Sequence, residues 1–276
     1  MKFKERLLHA SRMNRSVVCI GLDFEMQSVP AFIRDEDFPI LSFNQAIIEA
    51  TKDLVCAYKP NIAFYEKHAE RGLTSLRKTI EMVPEDIPVI LDCKRGDIGS
   101  TAKAYAEAYF DDLGVDAVTV NPYLGSDAIE PFLNYDEKGV FVVCRTTNAA
   151  AGEFQDLPVQ GSPLFEHVAR RAVKEWNAQD NIGLVAPGTQ PRLLQQVRRI
   201  AGPNIPILVP GVGAQGGRPQ DAVQCGANIR GEMVLVNASR SILYASQEKD
   251  FAVAARSAAQ KLKDECNEAR NVSISP

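Results

Sequence analysis

Asp92, Lys94 and Asp97 place two carboxylates and an ammonium within six positions. They follow a short apolar run, Val89-Ile90-Leu91, which reads as a buried strand entered from Pro88. Side chains on a strand alternate faces, so Asp92 and Lys94 point the same way and Cys93 the other. Opposite charges at the end of a buried strand are costly unless they pair or serve a reaction. A nearby carboxylate keeps a lysine protonated while confinement away from water opposes its charge, which poises the ammonium to give up a proton. The plain structural alternative is a buried salt bridge followed by a helix N-cap at Asp97. These residues alone do not decide between the two.

The elements that must position them recur along the chain. Apolar, β-branched runs occur at Val17–Leu22, Val55–Tyr58, Val89–Leu91, Ala117–Val120, Val140–Cys144, Ile182–Val185, Ile205–Val209 and Met233–Val236. Between them lie stretches such as Phe43–Asp53, Thr101–Leu113, Pro163–Asn177 and Arg192–Ala201, apolar on one side and charged on the other. Eight alternating units in 276 residues argue for the α/β class and a closed parallel (β/α)8 barrel, a TIM barrel, in a single domain spanning 1–276. A doubly wound open sheet is the alternative. A short amphipathic helix is expected at the N-terminus and fraying at 271–276.

Chemistry in such a barrel gathers at the C-terminal ends of the strands. Asp23 follows the first strand, Lys59-Pro60-Asn61 the second, and Asp92, Lys94 and Asp97 the third. Asn121-Pro122-Tyr123 follows the fourth and Arg145-Thr146-Thr147-Asn148 the fifth. Ala186 to Gln190 follow the sixth, Pro210 to Gly217 the seventh, and Asn237 to Ser241 the eighth. Two lysines and three carboxylates at one mouth exceed what stability requires and favour an active site.

The last two ends are where this architecture usually binds phosphate. Gly211, Gly213, Gly216 and Gly217 would let backbone N–H groups approach an anion, and Arg240 would pair with it bidentately. The substrate is therefore expected to carry a monophosphate. Gln190 reads as loop structure, and the long segment Thr146–Pro163 reads equally as a lid or as a solvent loop.

Composition removes other classes. A net charge of -4 gives no footprint for nucleic acid, and no apolar run approaches a membrane span. The first ten residues carry charges where a signal peptide needs an apolar core, so a cytoplasmic protein is expected. Cys19, Cys56, Cys93, Cys144, Cys225 and Cys266 contain no C-x-x-C and read as free thiols, mostly buried. His9, His68 and His167 lack metal-ligand spacing, which argues against a zinc site or a histidine triad.

Asp92-x-Lys94-x-x-Asp97, with Lys59 one strand earlier, Asp23 at strand one and Pro210-Gly-Val-Gly-Ala-Gln215-Gly-Gly, resembles the orotidine 5′-phosphate decarboxylase family. The segments 57–66 and 92–99 resemble its longer bacterial branch, and the likeness runs from about Gly21 to Arg240. Asp-x-Lys-x-x-Asp is shared with related Mg2+-dependent sugar-phosphate barrels, from which Lys59 separates this chain. The resemblance implies cofactor-free, metal-free decarboxylation of orotidine 5′-monophosphate to UMP, with Lys94 giving a proton to C6 and Asp92 beside the substrate carboxylate. Lys59 and Asp97 would complete the array. It also implies a homodimer in which Asp97, with Ile98 and Thr101, serves the other subunit's site. Asp23 and Lys59 would hold ribose hydroxyls, Thr147 the pyrimidine edge, and Gln215 and Arg240 the phosphate, with Pro210 and Ser239 beside them. Thr147 stands where serine is usual, with Thr146 as its rival, Ser239 where glycine often precedes the arginine, and the Ala-rich loop lacks the common proline.

The chemistry is demanding because departing CO2 leaves an electron pair on a ring carbon with no conjugated sink. A fixed ammonium at that point would stabilise the charge and then supply the proton. Asp92 would add repulsion against the bound carboxylate. Competing readings are a Mg2+-dependent sugar-phosphate decarboxylase or aldolase, a Schiff-base aldolase, and a silent phosphoribosyl-ligand binding module.

Overall fold

The computed structural model describes residues 1–274. Its eight barrel strands are β1 (Val18–Gly21), β2 (Ala57–Lys59), β3 (Ile90–Arg95), β4 (Ala117–Val120), β5 (Gly139–Val143), β6 (Ile182–Val185), β7 (Ile207–Val209) and β8 (Val234–Ala238). All pair in parallel, in the order β2-β1-β8-β7-β6-β5-β4-β3. The seam between β2 and β3 closes through the bridges Tyr58–Val89 and Asn61–Asp92. There Tyr58 N donates to the Pro88 carbonyl and Asp92 N to that of Pro60. Closure excludes the open doubly wound sheet.

Helices join the strands as the periodicity requires, including Pro39–Thr51, Ala69–Met82, Gly99–Glu107, Leu164–Arg171, Pro191–Ala201 and Pro219–Gly226. Two of the helical stretches expected from the sequence end in a wider turn, Ala108–Asp112 and Ala172–Trp176. The last helix, Phe251–Ile274, enters the stretch expected to fray; residues 275–276 lie outside those described. Among the described residues no helix is long and apolar enough to cross a membrane.

Strand periodicity sorts the interior into layers. Cys19, Ala57, Ile90, Ala117 and Phe141 belong to one compact buried cluster inside the barrel. Two positions further along the same strands come Gly21, Lys59, Asp92, Thr119 and Val143, so the next layer towards the mouth is largely polar. The helix Phe3–Met13 closes the opposite end. Phe3 packs edge-on against Phe141 at 5.7 Å and lies over Gly139, where a Cβ would fall 2.4 Å from the ring.

Below the mouth, Arg198 ties two connections together, with no carboxylate partner among the described residues. Its guanidinium donates to the carbonyls of Gly202, Ile205, Gly226 and Met233 at 2.5–2.8 Å. Desolvation lowers its pKa to about 10, still well above neutrality, so the charge is kept for these bonds. Arg198→Met would leave buried carbonyls unpaired and should destabilise the fold by roughly 2–3 kcal/mol, read as a lower denaturation midpoint.

Candidate active site

Asp92 sits at the closing seam with an ammonium on each oxygen. Lys59 Nζ lies 3.2 Å from Oδ2 and Lys94 Nζ 2.7 Å from Oδ1. The lysines differ in setting. Lys59 is 3 % exposed at the end of β2, whereas the Lys94 side chain is 47 % exposed to the mouth. Burial would push the Asp92 carboxyl up, but the charges of Lys59 and Lys94 and the hydrogen bonds from Lys94 and Thr119 outweigh it and hold the group well below the usual carboxylate range. Burial likewise opposes the Lys59 charge, and the Asp92 and Asp23 carboxylates reverse that effect and raise it. Asp92 and Lys59 are therefore both charged at neutral pH. The depressed Asp92 value contributes stability that is complete above about pH 4 and is lost as pH falls further.

Asp92 and Lys94 do meet, although not by simple alternation. The β3–β4 register slips between Leu91 and Arg95, and Lys94 adopts φ +45°, a left-handed conformation that costs a non-glycine residue about 1–3 kcal/mol. Thr119 of β4 lies against this bulge. Its Oγ1 accepts from the Cys93 and Lys94 N–H groups at 3.0 and 2.9 Å and donates to Asp92 Oδ1 at 2.9 Å. Asn61 closes the other side, with Nδ2 3.3 Å from Asp92 Oδ2 and its backbone N 3.2 Å from Asp23 Oδ1.

Thr119 has no role in the sequence reading, and Asn61 enters it only as part of the end of the second strand. The available signal was periodicity: Thr119 shares the inward face of β4 with Ala117, and Asn61 follows Lys59 by two positions. Asn237 likewise enters that reading only as part of the end of the eighth strand; it is 8 % exposed, and among the described residues its Oδ1 has no hydrogen-bond partner.

Asp97 stands apart. It is half-buried, accepts from the Ile98 backbone N, and joins none of the hydrogen bonds around Asp92. The helix Gly99–Glu107 takes Ile98 as its N-cap, so Asp97 does not fill the capping position. Ile98 is 64 % exposed and Thr101 is exposed on the first turn.

The remaining candidates lie around the rim. A Cβ built on Gly211 would fall 2.9 Å from Thr147 Cγ2 and 3.2 Å from Gln215 Oε1, so the ends of β5 and β7 adjoin. Thr146 Oγ1 is engaged by Asn148 and Gln155, which leaves Thr147 as the neighbour of the glycine loop. The Pro210 carbonyl accepts from Gly188 N. Ser239 borders Gly21, whose Cβ position would lie 2.8 Å from Ser239 Cβ and 3.1 Å from Asp23 Oδ2. Arg240 is exposed and makes no ion pair among the described residues. The glycine loop departs from expectation. The N–H groups of Gly213, Gly216 and Gly217 are spent on carbonyls within the loop, so positive φ at Gly211, Gly213 and Gly216 shapes a tight turn.

The segment after β5 is ordered. It holds the turns Ala149–Ala151 and Gly152–Gln155 and a small hairpin of Pro158–Val159 with Ser162–Pro163. Buried Arg145 clamps it through a bidentate pair with Asp156 at 2.8 and 2.9 Å. Lys94, Asn121, Tyr123, Val143 and Phe154 line a cavity of about 760 Å³ beneath it. Among the described residues no group of three or more His, Cys, Asp or Glu side chains is placed to hold a metal ion.

Residues 16–256 match the model of the orotidine 5′-phosphate decarboxylase / HUMPS family. The orotidine 5′-phosphate decarboxylase of Thermomicrobium roseum is 50% identical over 267 residues, 96% of this chain and 94% of that protein. That of Herpetosiphon aurantiacus is 47% identical over 94% of this chain and 95% of its own length. The solved OMP decarboxylase of Leishmania donovani superposes with a TM-score of 0.86 at 37% identity, covering 98% of this chain and 99% of that one. The UMP synthase of the same organism gives 0.88 at 38% identity, matching 98% of this chain but 57% of its own.

The buried pair carries its own test. Asp92→Ala would strand Lys59 as an ammonium with little access to water and should destabilise the fold by roughly 3 kcal/mol. Adding Lys59→Met should restore part of that loss in denaturant unfolding, because the uncompensated charge is then gone.

Proposed function

The chain belongs to the orotidine 5′-phosphate decarboxylase / HUMPS family, and we propose that it carries out that decarboxylation, the final step of UMP formation, with Lys94 as the proton donor. Orotidine 5′-monophosphate enters; UMP and CO2 leave. The observation that carries the assignment of roles is the array in which Asp92 is held between Lys59 and Lys94. In the step, the bond between C6 and the carboxylate breaks and the electron pair stays on C6. The Lys94 ammonium stabilises that pair and then protonates it. Asp92, fixed and ionised, keeps Lys94 aimed and faces the departing carboxylate.

Lys59, at the end of β2, and Asp23, just past the adjoining β1, hold the ribose. Thr147 takes the pyrimidine edge, supported by the engagement of Thr146 elsewhere. Arg240, with no counter-ion among the described residues, takes the phosphate with Gln215, beside Pro210 and Ser239. The backbone of the glycine loop contributes shape more than free donors.

Asp97, Ile98 and Thr101 serve the site of a second copy. The exposure of Ile98 and Thr101 supports this, as do Tyr123 and Leu124, which follow the neighbouring strand and are 78 % and 52 % exposed. The working unit is then a homodimer with shared sites. Six free thiols suit the reducing cytoplasm.

Chelator-treated protein given orotidine 5′-monophosphate should release CO2, and Lys94→Ala should lose nearly all turnover. Persistence of near-normal turnover in that variant would remove Lys94 from the role. Mixing inactive Lys94→Ala and Asp97→Ala chains should restore up to about a quarter of parental activity through one intact site per mixed dimer. No recovery after verified subunit exchange would rule sharing out.

A further inference from the structure

We propose that the Thr119 hydroxyl is a positioning group for the reaction, one atom that fixes both the backbone turn bearing Lys94 and the carboxylate facing it. The inference rests on the roles given above to Lys94 and Asp92. A hydroxyl offers one proton and two lone pairs. At Thr119 all three are in use: the lone pairs receive the Cys93 and Lys94 N–H groups, and the proton goes to Asp92 Oδ1.

Thr119 is 1 % exposed and lies between the apolar residues Val118 and Val120, so contact with solvent does not account for its polarity. The bulge does. Where the register slips between Leu91 and Arg95, the Cys93 and Lys94 N–H groups turn to a side chain for an acceptor, and a buried N–H needs one. The same bond holds Lys94 at φ +45°, a region lysine does not favour. Without the hydroxyl, Lys94 relaxes towards extended backbone and its Nζ moves off Asp92 Oδ1, while Asp92 loses a donor on that same oxygen. A single deletion therefore disturbs the proton donor and its neighbour together.

The test compares Thr119→Val, which keeps the shape and removes the hydroxyl, with Thr119→Ser, which keeps the hydroxyl. Valine should lower kcat by about 10²-fold, the scale of a small misplacement of reacting groups. KM, and affinity for UMP, which lacks the departing carboxylate, should stay within about threefold of the parent, as should all constants of the serine form. A folded valine form with parental kcat overturns the proposal. So does equal impairment of valine and serine, or a loss that falls on UMP affinity with kcat intact.

A crystal structure of the valine form adds a readout independent of turnover. Lys94 should leave the left-handed region, and its retention there overturns the proposal. Failure of the parent to decarboxylate orotidine 5′-monophosphate would count against the functional reading, while the conformation of Lys94 would still decide this one. Should the valine chain not fold, Thr119→Cys takes its place. A thiol is a weak donor and acceptor, so cysteine should lose roughly tenfold or more in kcat where serine does not, and equal rates overturn the proposal.

Discussion

Asp92 keeps a full negative charge at a place water scarcely reaches, and it does so only because an ammonium faces each of its oxygens. One partner belongs to β2 and the other to β3, so the ion group spans the line along which the barrel closes. Regular ladder hydrogen bonding is thin there, reduced to bridges around Pro60 and Pro88. Electrostatic attraction and backbone closure thus support each other at one place. An enclosed carboxylate with such partners has little freedom to move or to take up a proton, which is the preorganisation a charge-stabilising site needs.

Around that centre the division of labour follows burial. Lys59, enclosed, is a permanent cation that anchors Asp92. Lys94, open to the cavity, can approach a ligand there. Arg240 and Gln215 stand further out on exposed positions, suited to a strongly hydrated group. The Arg145–Asp156 clamp ties the segment beside the cavity to the end of β5 through one buried guanidinium.

Much of this was legible because it follows simple periods. Each of the eight apolar runs overlaps a strand, and a polar residue at the end of each lies at one mouth, since parallel strands joined by helices leave all such ends on one side. Lys59 and Asp92 could be paired because each lies at the end of its run. What escaped notice depends on departures from period. The bulge that sets Lys94 has no signature in Asp-Cys-Lys-Arg, and Thr119 looks like one more β-branched residue in Ala-Val-Thr-Val. The glycine loop shows the converse limit. Its composition announces tight backbone, but whether the N–H groups face outward or satisfy one another depends on the turn it adopts.

The opposite end of the barrel bears on how the chain is made. Phe3 rests on Gly139 and Phe141, Arg6 bonds to Asp116, and Lys4 reaches Asp180, 176 positions away. The helix Phe3–Met13 therefore finds its full seat only once residues as far along as Asp180 have been made. Until then its apolar side has nowhere native to go, and chaperones would have their longest opportunity there.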